Sequence, residues 1–160
     1  MLNIILVVIL VSADQFFKYL ATQNLFSLKT LPISVIPNII GLNYVHNYGA
    51  GFSILSGKVN FLIIITSIAL VAIALAILMN KFDSKFEELC FVLILAGGIG
   101  NLIDRALNGY VVDYLEFLFM EFPVFNFADI LICCGVGLYV IYTFGSEFFS
   151  KNKKETNSNE

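Results

Sequence analysis

The feature that most constrains the fold is an uninterrupted apolar run of nineteen residues, Phe61 to Met79. It contains no charged residue, no proline and no glycine. At about 1.5 Å per residue a helix of this length is roughly 28 Å long, which matches the hydrocarbon thickness of a bilayer. The rest of the chain agrees, because 59% of its 160 residues are hydrophobic and only 13% are charged, well below the charged share of a soluble domain. The sequence therefore predicts an integral membrane protein.

Apolar segments predict four membrane-spanning helices, at roughly 3–22, 60–80, 88–107 and 127–148. Between the first two, the pieces "ISVI" and "IIGLNYV" are typical of short strands, with turns at Pro37-Asn38 and near Gly49 and Gly51. We therefore expect a small sheet on the membrane surface rather than a fifth span. Residues 1–150 are predicted to form a single domain without internal repeats, and 151–160 a polar cytoplasmic tail.

Lysine and arginine residues predict the orientation of the spans, because they favour the cytoplasmic side of a membrane. One side carries Lys81 and Lys85 in the second loop and Lys151, Lys153 and Lys154 in the tail. The other side carries Lys29, Lys58 and Arg105. This bias predicts cytoplasmic termini, with the first and third loops outside.

Composition argues against several functions. A net charge of −3 without a basic block does not suit a nucleic-acid partner. The three cysteines have no disulfide or metal-ligand spacing and are expected to be small core residues. A Ser/His/Asp or Cys/His arrangement would need the sole histidine, His46, and the three cysteines are predicted at mid-membrane or on the other side. With one histidine and no ligand-spaced motif, no metal site is expected.

Polar side chains gather at one side of the predicted membrane. They are Asp14 and Lys18 in the first span, His46 and Asn47 in the first loop, Asn101, Asp104 and Arg105 at the end of the third span, Asp113 in the next loop, and Asn126 and Asp129 at the start of the fourth span. A charged residue at mid-membrane depth costs about 2.5–3.5 kcal/mol on insertion scales. Such residues persist when they pair with one another or perform a function.

Ion pairing explains part of this set. Asp14 and Lys18 lie one turn apart on a helix and are expected to pair. Arg105 keeps its charge at any physiological pH, so it needs a carboxylate, with Asp104 or Asp113 in reach.

Asp113 and Asp129 leave two interpretations open. Asn126 and Asp129 have the spacing of a helix cap, and Asp113 could be an ordinary loop acid. If the two acids instead face each other, like-charge repulsion pushes one of them toward the protonated form, and the helix N-terminus favours Asp129 as the ionised one. One carboxylate as base and one carboxyl as acid is the chemistry of aspartic peptidases.

Four motifs together resemble lipoprotein signal peptidase, also called signal peptidase II. They read "DQFFK" from Asp14 to Lys18, "NYGAGFS" from Asn47, "GNLIDRALNGYVVDY" from Gly100, and "FPVFNFAD" ending at Asp129. The resemblance covers residues 14–129, with matching length and four spans. The chain departs from the family pattern at Gly51, where alanine is more usual.

The resemblance implies an all-α membrane protein with four transmembrane helices, a small extracytoplasmic β-cradle and an interfacial helix. It implies an aspartic endopeptidase of the bacterial cytoplasmic membrane that cuts diacylglyceryl-modified prolipoproteins before the lipidated cysteine, near the outer face. Membrane lipid is then a partner, no cofactor is needed, and a monomer is expected. The implied catalytic dyad is Asp113 and Asp129. The residues implied to support it or the substrate are Asn47, Gly49, Asn101, Asp104, Arg105, Asn126, Asp14 and Lys18.

The segment "YLEFLFMEF" mixes acids with large apolar side chains, which is typical of chain lying in a membrane interface. It joins the two acids in sequence, so we expect it to act as a lid over a lipid-bearing substrate. Two other functions compete with the peptidase. They are a small ion-coupled transporter, whose polar groups would lie at mid-depth between repeats, and a structural subunit of a larger complex.

Overall fold

The computed structural model describes residues 2–28, 30, 32–50 and 54–157, with the side chains of 146–157 left out of that description. In chain order its elements are α1 (Leu2–Leu25), β1 (Ile33–Ile36), β2 (Ile40–Asn47), α2 (Val59–Leu78), α3 (Lys85–Asn108), β3 (Val111–Phe117) and α4 (Phe127–Asn157).

The four predicted spans are confirmed. Each of the four helices includes a stretch long and apolar enough to cross a membrane, which in α4 is Phe127–Gly145. In α1, α2 and α4 less than a fifth of this stretch is buried within the protein, whereas half of the stretch in α3 is buried. The third helix is therefore the centre of the bundle, with most of the surface of the other helices left for lipid.

Close helix packing around α3 depends on glycines. A side chain at Gly97 would collide with the carbonyl oxygen of Ala128, and one at Gly135 would collide with that of Cys90. These two contacts bring the backbones of α3 and α4 together, as small residues do in membrane helix pairs. The start of α4 is held in this way against the polar part of α3.

The small surface sheet is also confirmed, but it has a third strand that the sequence analysis assigned to an interfacial segment. The strand order is β1-β2-β3, antiparallel throughout. The last strand pairs Asp113 with Val45 and Phe117 with Ile40. A bridge from Leu115 to Phe125 then leads the chain into α4. The first four residues of this strand are all buried. Val112 and Tyr114 share one face of the strand and pack with Ala21 and Leu25 at the end of α1.

The expected interfacial helix has no counterpart in the described part of the chain. The segment after α3 is β3 followed by irregular backbone to residue 126, and Ile54–Gly57 is a turn. The neighbouring residues 51–53, including Gly51, lie outside the described residues.

The two ends of α3 explain how the chain enters and leaves it. The Ser84 side chain accepts a hydrogen bond from the Glu87 N–H at 3.0 Å, which caps the first turn. Gly109 ends the helix with φ 79°, a left-handed conformation that favours glycine. This turn carries the chain directly into β3, which places Asp113 near the end of the helix.

Candidate active site

The two acids identified in the sequence are brought to one buried asparagine. Asn126 is completely buried and lies directly before α4. Its side-chain Nδ2 donates to Oδ1 of Asp113 at 2.6 Å. Its backbone N–H donates to Oδ2 of Asp129 at 3.1 Å. A strand residue and a helix residue sixteen positions apart in sequence thus share one neighbour.

The helix-cap interpretation is confirmed as well. The backbone N–H of Asp129 donates to Oδ1 of Asn126 at 3.0 Å, so the two residues cap the helix reciprocally. An ionised carboxylate in the first turn of a helix is stabilised by the positive end of the helix dipole. Capping and assembly of the acid pair are therefore compatible, and the same hydrogen bonds serve both.

Each acid also receives a hydrogen bond from a second asparagine. Asn101 of α3 donates from Nδ2 to Oδ1 of Asp129 at 2.8 Å. Asn47, the last residue of β2, donates from Nδ2 to Oδ2 of Asp113 at 2.9 Å. Both carboxyl groups are therefore positioned by N–H donors from two separate elements.

Burial changes the acid–base behaviour of Asp113, which is only 2% exposed. Loss of hydration raises its pKa from 3.8 to about 7, and the negative charge of Asp129 acts in the same direction. The hydrogen bonds from Asn47 and Asn126 oppose this shift without cancelling it. Near neutral pH, Asp113 is therefore a source of a proton beside a second carboxylate.

Beneath the acid pair lies a buried ion cluster, which we call the Lys18 cluster: Asp14, Lys18 and Asp104. The Lys18 ammonium is 2.9 Å from Asp14 Oδ2, as expected from their spacing, and 3.2 Å from Asp104 Oδ2. It also donates to Oδ1 of Asn101 at 2.9 Å. All three members are at most 3% exposed, so their charges are compensated within the protein.

The same cluster fixes the elements that carry the acids. Asp14 accepts a hydrogen bond from the Ala128 N–H at 3.0 Å, in the first turn of α4. Asp104 accepts a hydrogen bond at 3.0 Å from the N–H of Val112, the residue directly before Asp113. The first and third helices thus set the positions of both acids through backbone contacts.

Arg105 does not form the ion pair expected of it. Within the described part of the chain no carboxylate oxygen lies within 4.0 Å of its guanidinium. Instead it donates to the carbonyl oxygen of Gly49 at 2.8 Å, and its buried Nε has no hydrogen-bond partner there. The reason is competition, because Asp104 is held by Lys18 and Asp113 by two asparagines.

The Gly49 loop connects this arginine to the acid pair. The Gly49 N–H donates to Oδ1 of Asn47 at 2.9 Å, while its carbonyl accepts from Arg105. Since Asn47 also contacts Asp113, the loop is held close to the buried acid. Hydrogen bonds therefore connect Asn47, Gly49 and Arg105 to one another and to Asp113.

Gln15 was missed by the sequence analysis. Its side-chain Nε2 lies 3.1 Å from Asp104 Oδ1, 3.2 Å from Asp14 Oδ2 and 3.2 Å from the Gly100 carbonyl oxygen. An amide inside an apolar helix directly after an aspartate was the available signal. This residue ties α1 to α3 across the Lys18 cluster.

His46 lies in an aromatic group rather than with the acids. Its ring stacks on Tyr110 at a centroid distance of 3.8 Å, and Nε2 lies 3.2 Å from the Tyr44 hydroxyl. It neighbours Asn47 on β2 and so faces the opposite side of the sheet. It therefore has a packing role.

The cysteines fit the core expectation only at Cys90, which is buried, whereas Cys133 and Cys134 are exposed on α4. Among the residues that the structure describes, no three His, Cys, Asp or Glu side chains are grouped so as to hold a metal ion.

Comparison with known proteins gives one consistent result. Residues 5–145 match the family model described as signal peptidase (SPase) II. The lipoprotein signal peptidase of Enterococcus faecalis is 40% identical over 91% of this chain and 89% of its own length. That of Haemophilus ducreyi is 39% identical over 91% of this chain and 90% of its own length.

Solved structures give the same result for the fold. A bacterial membrane enzyme determined at 2.3 Å superposes with a TM-score of 0.81 at 33% identity, covering 93% of this chain and 90% of its own. A second, determined at 1.9 Å, superposes with a TM-score of 0.76 at 35% identity, covering 88% of this chain and 91% of its own.

Proposed function

This chain belongs to the signal peptidase II family, and we propose that it is an aspartic endopeptidase that removes the signal peptide from diacylglyceryl-modified prolipoproteins. The cut falls before the lipidated cysteine. The observation that carries the proposal is the contact of Asn126 with both Asp113 and Asp129, because it joins two acids from separate elements at one buried position. The comparisons give no support to the alternative of an ion-coupled transporter.

The two acids have different roles in the proposed reaction. Asp129 accepts N–H bonds from Asn101 and from the helix start, which suits a carboxylate that takes a proton from water. Asp113, with its pKa raised to about 7, suits the acid that donates a proton to the scissile carbonyl oxygen.

The bonds change in two steps. In the first, the hydroxide formed at Asp129 bonds to the carbonyl carbon, and Asp113 protonates the carbonyl oxygen, which gives a tetrahedral diol. In the second, Asp129 returns its proton to the leaving nitrogen, Asp113 takes one from the diol, and the C–N bond breaks. Both acids thereby recover their starting states, and no cofactor takes part.

The surrounding residues support this reaction. Asn47, Asn101 and Asn126 orient the carboxyl groups, and the Lys18 cluster holds the elements beneath them. Arg105 holds the Gly49 loop beside the acid pair, and its buried Nε has no hydrogen-bond partner in the described part of the chain, so it keeps capacity to donate.

The proposed location is the bacterial cytoplasmic membrane, with the acid pair toward the outer face and both termini in the cytoplasm. The support is that the sheet and the acid pair lie at the same end of the bundle, whereas the α2–α3 loop with Lys81 and Lys85 lies at the other. The substrate reaches the acids from the lipid, as a monomeric enzyme with exposed helix surfaces allows.

The test uses purified protein with a diacylglyceryl-modified precursor and the same precursor lacking the lipid. We expect cleavage of the first alone, before the modified cysteine, and no effect of a metal chelator. Cleavage of both precursors at equal rates would contradict the proposed substrate. Loss of activity with the chelator, restored by a divalent ion, would contradict the aspartic mechanism.

A further inference from the structure

The direction of the hydrogen bonds in the acid pair is not set by the asparagines themselves. The oxygen and the NH₂ of a side-chain amide are similar in size, so the group can turn by 180° at small steric cost. In one orientation Asn101 offers Asp129 a donor, and in the other a carbonyl oxygen. A carboxylate facing a carbonyl oxygen would lose a hydrogen bond and gain repulsion. A neighbouring group must therefore determine which orientation the Asn101 amide adopts.

Lys18 determines the orientation of the Asn101 amide. An ammonium has three donors and no acceptor, so the atom 2.9 Å from its nitrogen must be the oxygen of Asn101. With that oxygen fixed, the NH₂ of Asn101 is turned toward Asp129 at 2.8 Å. Lys18 is only 3% exposed, so water does not compete for the contact.

The same oxygen of Asn101 also contacts the side chain of Asn126. It also accepts from Nδ2 of Asn126 at 3.1 Å, which requires Asn126 to turn its NH₂ inward. The backbone N–H of Asp129 can only donate, so its contact with Oδ1 of Asn126 also fixes this amide and turns its NH₂ toward Asp113. A chain of amides thus runs from one ammonium to both carboxyl groups.

The ion cluster keeps Lys18 able to perform this role. Asp14 and Asp104 contact its ammonium from two helices, at 2.9 and 3.2 Å, and both are buried. These contacts hold the nitrogen of Lys18 in place beside the oxygen of Asn101.

We propose that Lys18 is a positioning residue, whose buried ammonium fixes the orientation of Asn101 so that this amide presents a donor to Asp129. This inference rests on the proposed function for its catalytic consequence, but the orientation itself does not depend on catalysis. Without the ammonium, only the 3.1 Å contact from Asn126 holds the oxygen of Asn101, and Asn101 can turn to accept a hydrogen bond from a protonated Asp129. The base of the reaction then starts with a proton already bound.

The test must separate the effect of amide orientation on Asp129 from the effect of a changed charge. Replacing Lys18 alone removes a positive charge, which by itself favours protonation of nearby acids. The double variant Lys18→Met/Asp14→Asn removes one positive and one negative charge, so its net charge is unchanged. Methionine is similar in shape to lysine but donates no hydrogen bond. Lys18→Arg, which keeps the charge and only donates, is the conservative variant.

The first readout is infrared difference spectroscopy of the purified protein during a pH titration, with the Asp129 band assigned by its loss in Asp129→Asn. The titratable groups that interact with this acid pair are Arg105 and Tyr114 at the site, and Asp14, Lys18 and Asp104 beneath it. In the double variant we expect protonation of Asp129 at a pH higher by about one unit or more, equivalent to about a tenfold change in proton affinity. In Lys18→Arg we expect a titration within about 0.3 units of the unmodified protein, about a twofold change.

The second readout is cleavage of the lipidated precursor. We expect kcat to fall at least about tenfold in the double variant, with KM within about twofold, because proton transfer rather than binding is affected. Glu88→Gln serves as the control for general loss of stability, since it breaks the Lys85 ion pair of 2.8 Å at the opposite end of α3. It should lower the unfolding temperature and leave kcat unchanged.

The outcomes distinguish this inference from the proposed function. A folded double variant whose Asp129 titration and kcat both match the unmodified protein overturns the role of Lys18. If Asp129→Asn remains active, the proposed dyad fails, while the infrared titration still decides the role of Lys18. If the double variant does not fold, Lys18→Met/Asp104→Asn, which also keeps the net charge, carries the test. The proposal requires this variant to raise the protonation pH of Asp129, and it is overturned if the titration matches that of the unmodified protein.

Discussion

Asn126 and Asp129 hold each other at the first turn of α4, through N–H to carboxylate contact at 3.1 Å in one direction and N–H to amide contact at 3.0 Å in the other. This reciprocal cap fixes the carboxyl group of Asp129 relative to the helix axis. The free NH₂ of the same asparagine reaches Asp113. The start of a helix therefore determines the spacing of the two acids, so changes to the cap and changes to the acids should affect the same reaction.

Removal of either acid should abolish cleavage without removing the protein from the membrane. We expect Asp113→Asn and Asp129→Asn each to lower the rate at least about 10²-fold, because asparagine keeps the shape but cannot transfer the proton. The measurement is processing of a lipidated precursor at matched protein level. Asp83→Asn is the matched control, since it makes the same chemical change at an exposed aspartate of the α2–α3 loop, at the other end of the bundle. Normal processing by either aspartate variant would remove that residue from the dyad.

The raised pKa of Asp113 should appear in the pH dependence of stability. In the unfolded chain this acid loses its proton near pH 3.8, but in the folded protein only near 7. Between these values the unfolded chain is ionised and the folded one is not, so stability falls as pH rises across the window, by up to about 4 kcal/mol above pH 7. Asp113→Asn has no proton to lose there. Its unfolding temperature, relative to the unmodified protein, should therefore rise between about pH 4 and 8, whereas parallel profiles would contradict the raised pKa.

A methyl group at Gly100 should displace the Lys18 cluster. Its Cβ would collide with the carboxylate of Asp14 and lie 3.4 Å from Cβ of Ala128. Because Asp14 holds the Ala128 N–H, we expect Gly100→Ala to destabilise the protein by about 1–3 kcal/mol and to lower cleavage as well. Gly137→Ala is the control, since a Cβ there meets nothing within 4 Å. Equal unfolding temperatures for the two variants, measured in the same detergent, would show that α1 and α4 can separate without cost.

Local patterns in the sequence were sufficient for the spans and for the ion pair of Asp14 with Lys18. Both depend on residues close in the chain, either a long apolar run or a one-turn spacing. The third strand could not be predicted in this way, because "VVDYLEF" becomes a strand only when β2 is present to pair with it. Apolar and acidic residues in that segment are equally compatible with an interface.

The sequence also could not predict which members of the polar group pair with one another. Spacing put Arg105 within reach of Asp104 or Asp113, yet Asp104 pairs with Lys18, which comes from another helix. Which cation reaches a carboxylate first depends on helix packing, and spacing along one helix does not contain that information. The membership of the group was predictable from the position of polar residues at one end of the spans.

The aromatic side chains from residue 117, at the end of β3, to residue 125 should differ in role: some stabilise the fold and others are exposed. The Phe117 ring contacts the rings of Phe119, Phe122 and Phe125 at centroid distances of 4.9–5.5 Å. Phe119 is 62% exposed at the rim of a cavity of about 840 Å³ lined by residues 116–123. We therefore expect Phe117→Ser to lower the unfolding temperature and to reduce stability by about 2 kcal/mol, less than at a fully buried phenylalanine because this ring is only partly buried. Phe119→Ser should leave stability nearly unchanged and raise KM for lipidated precursor, if this segment acts as a lid. Unaltered kinetics in Phe119→Ser would contradict the lid.

The sidedness of the site can be tested with single cysteines in a variant whose three native cysteines are replaced by alanine. Lys58 and Lys81 are both exposed and lie at the two ends of α2, so one membrane span separates them. If the acid pair faces the outside, Lys58→Cys should react with a membrane-impermeant maleimide added to intact spheroplasts, whereas Lys81→Cys should react only after permeabilisation. The lysine bias predicts this order, because basic residues in short loops stay in the cytoplasm. Processing of the precursor in the same cells verifies that each variant is folded. The reverse labelling order would place the acids at the cytoplasmic face, where a precursor already exported with its lipid could not reach them.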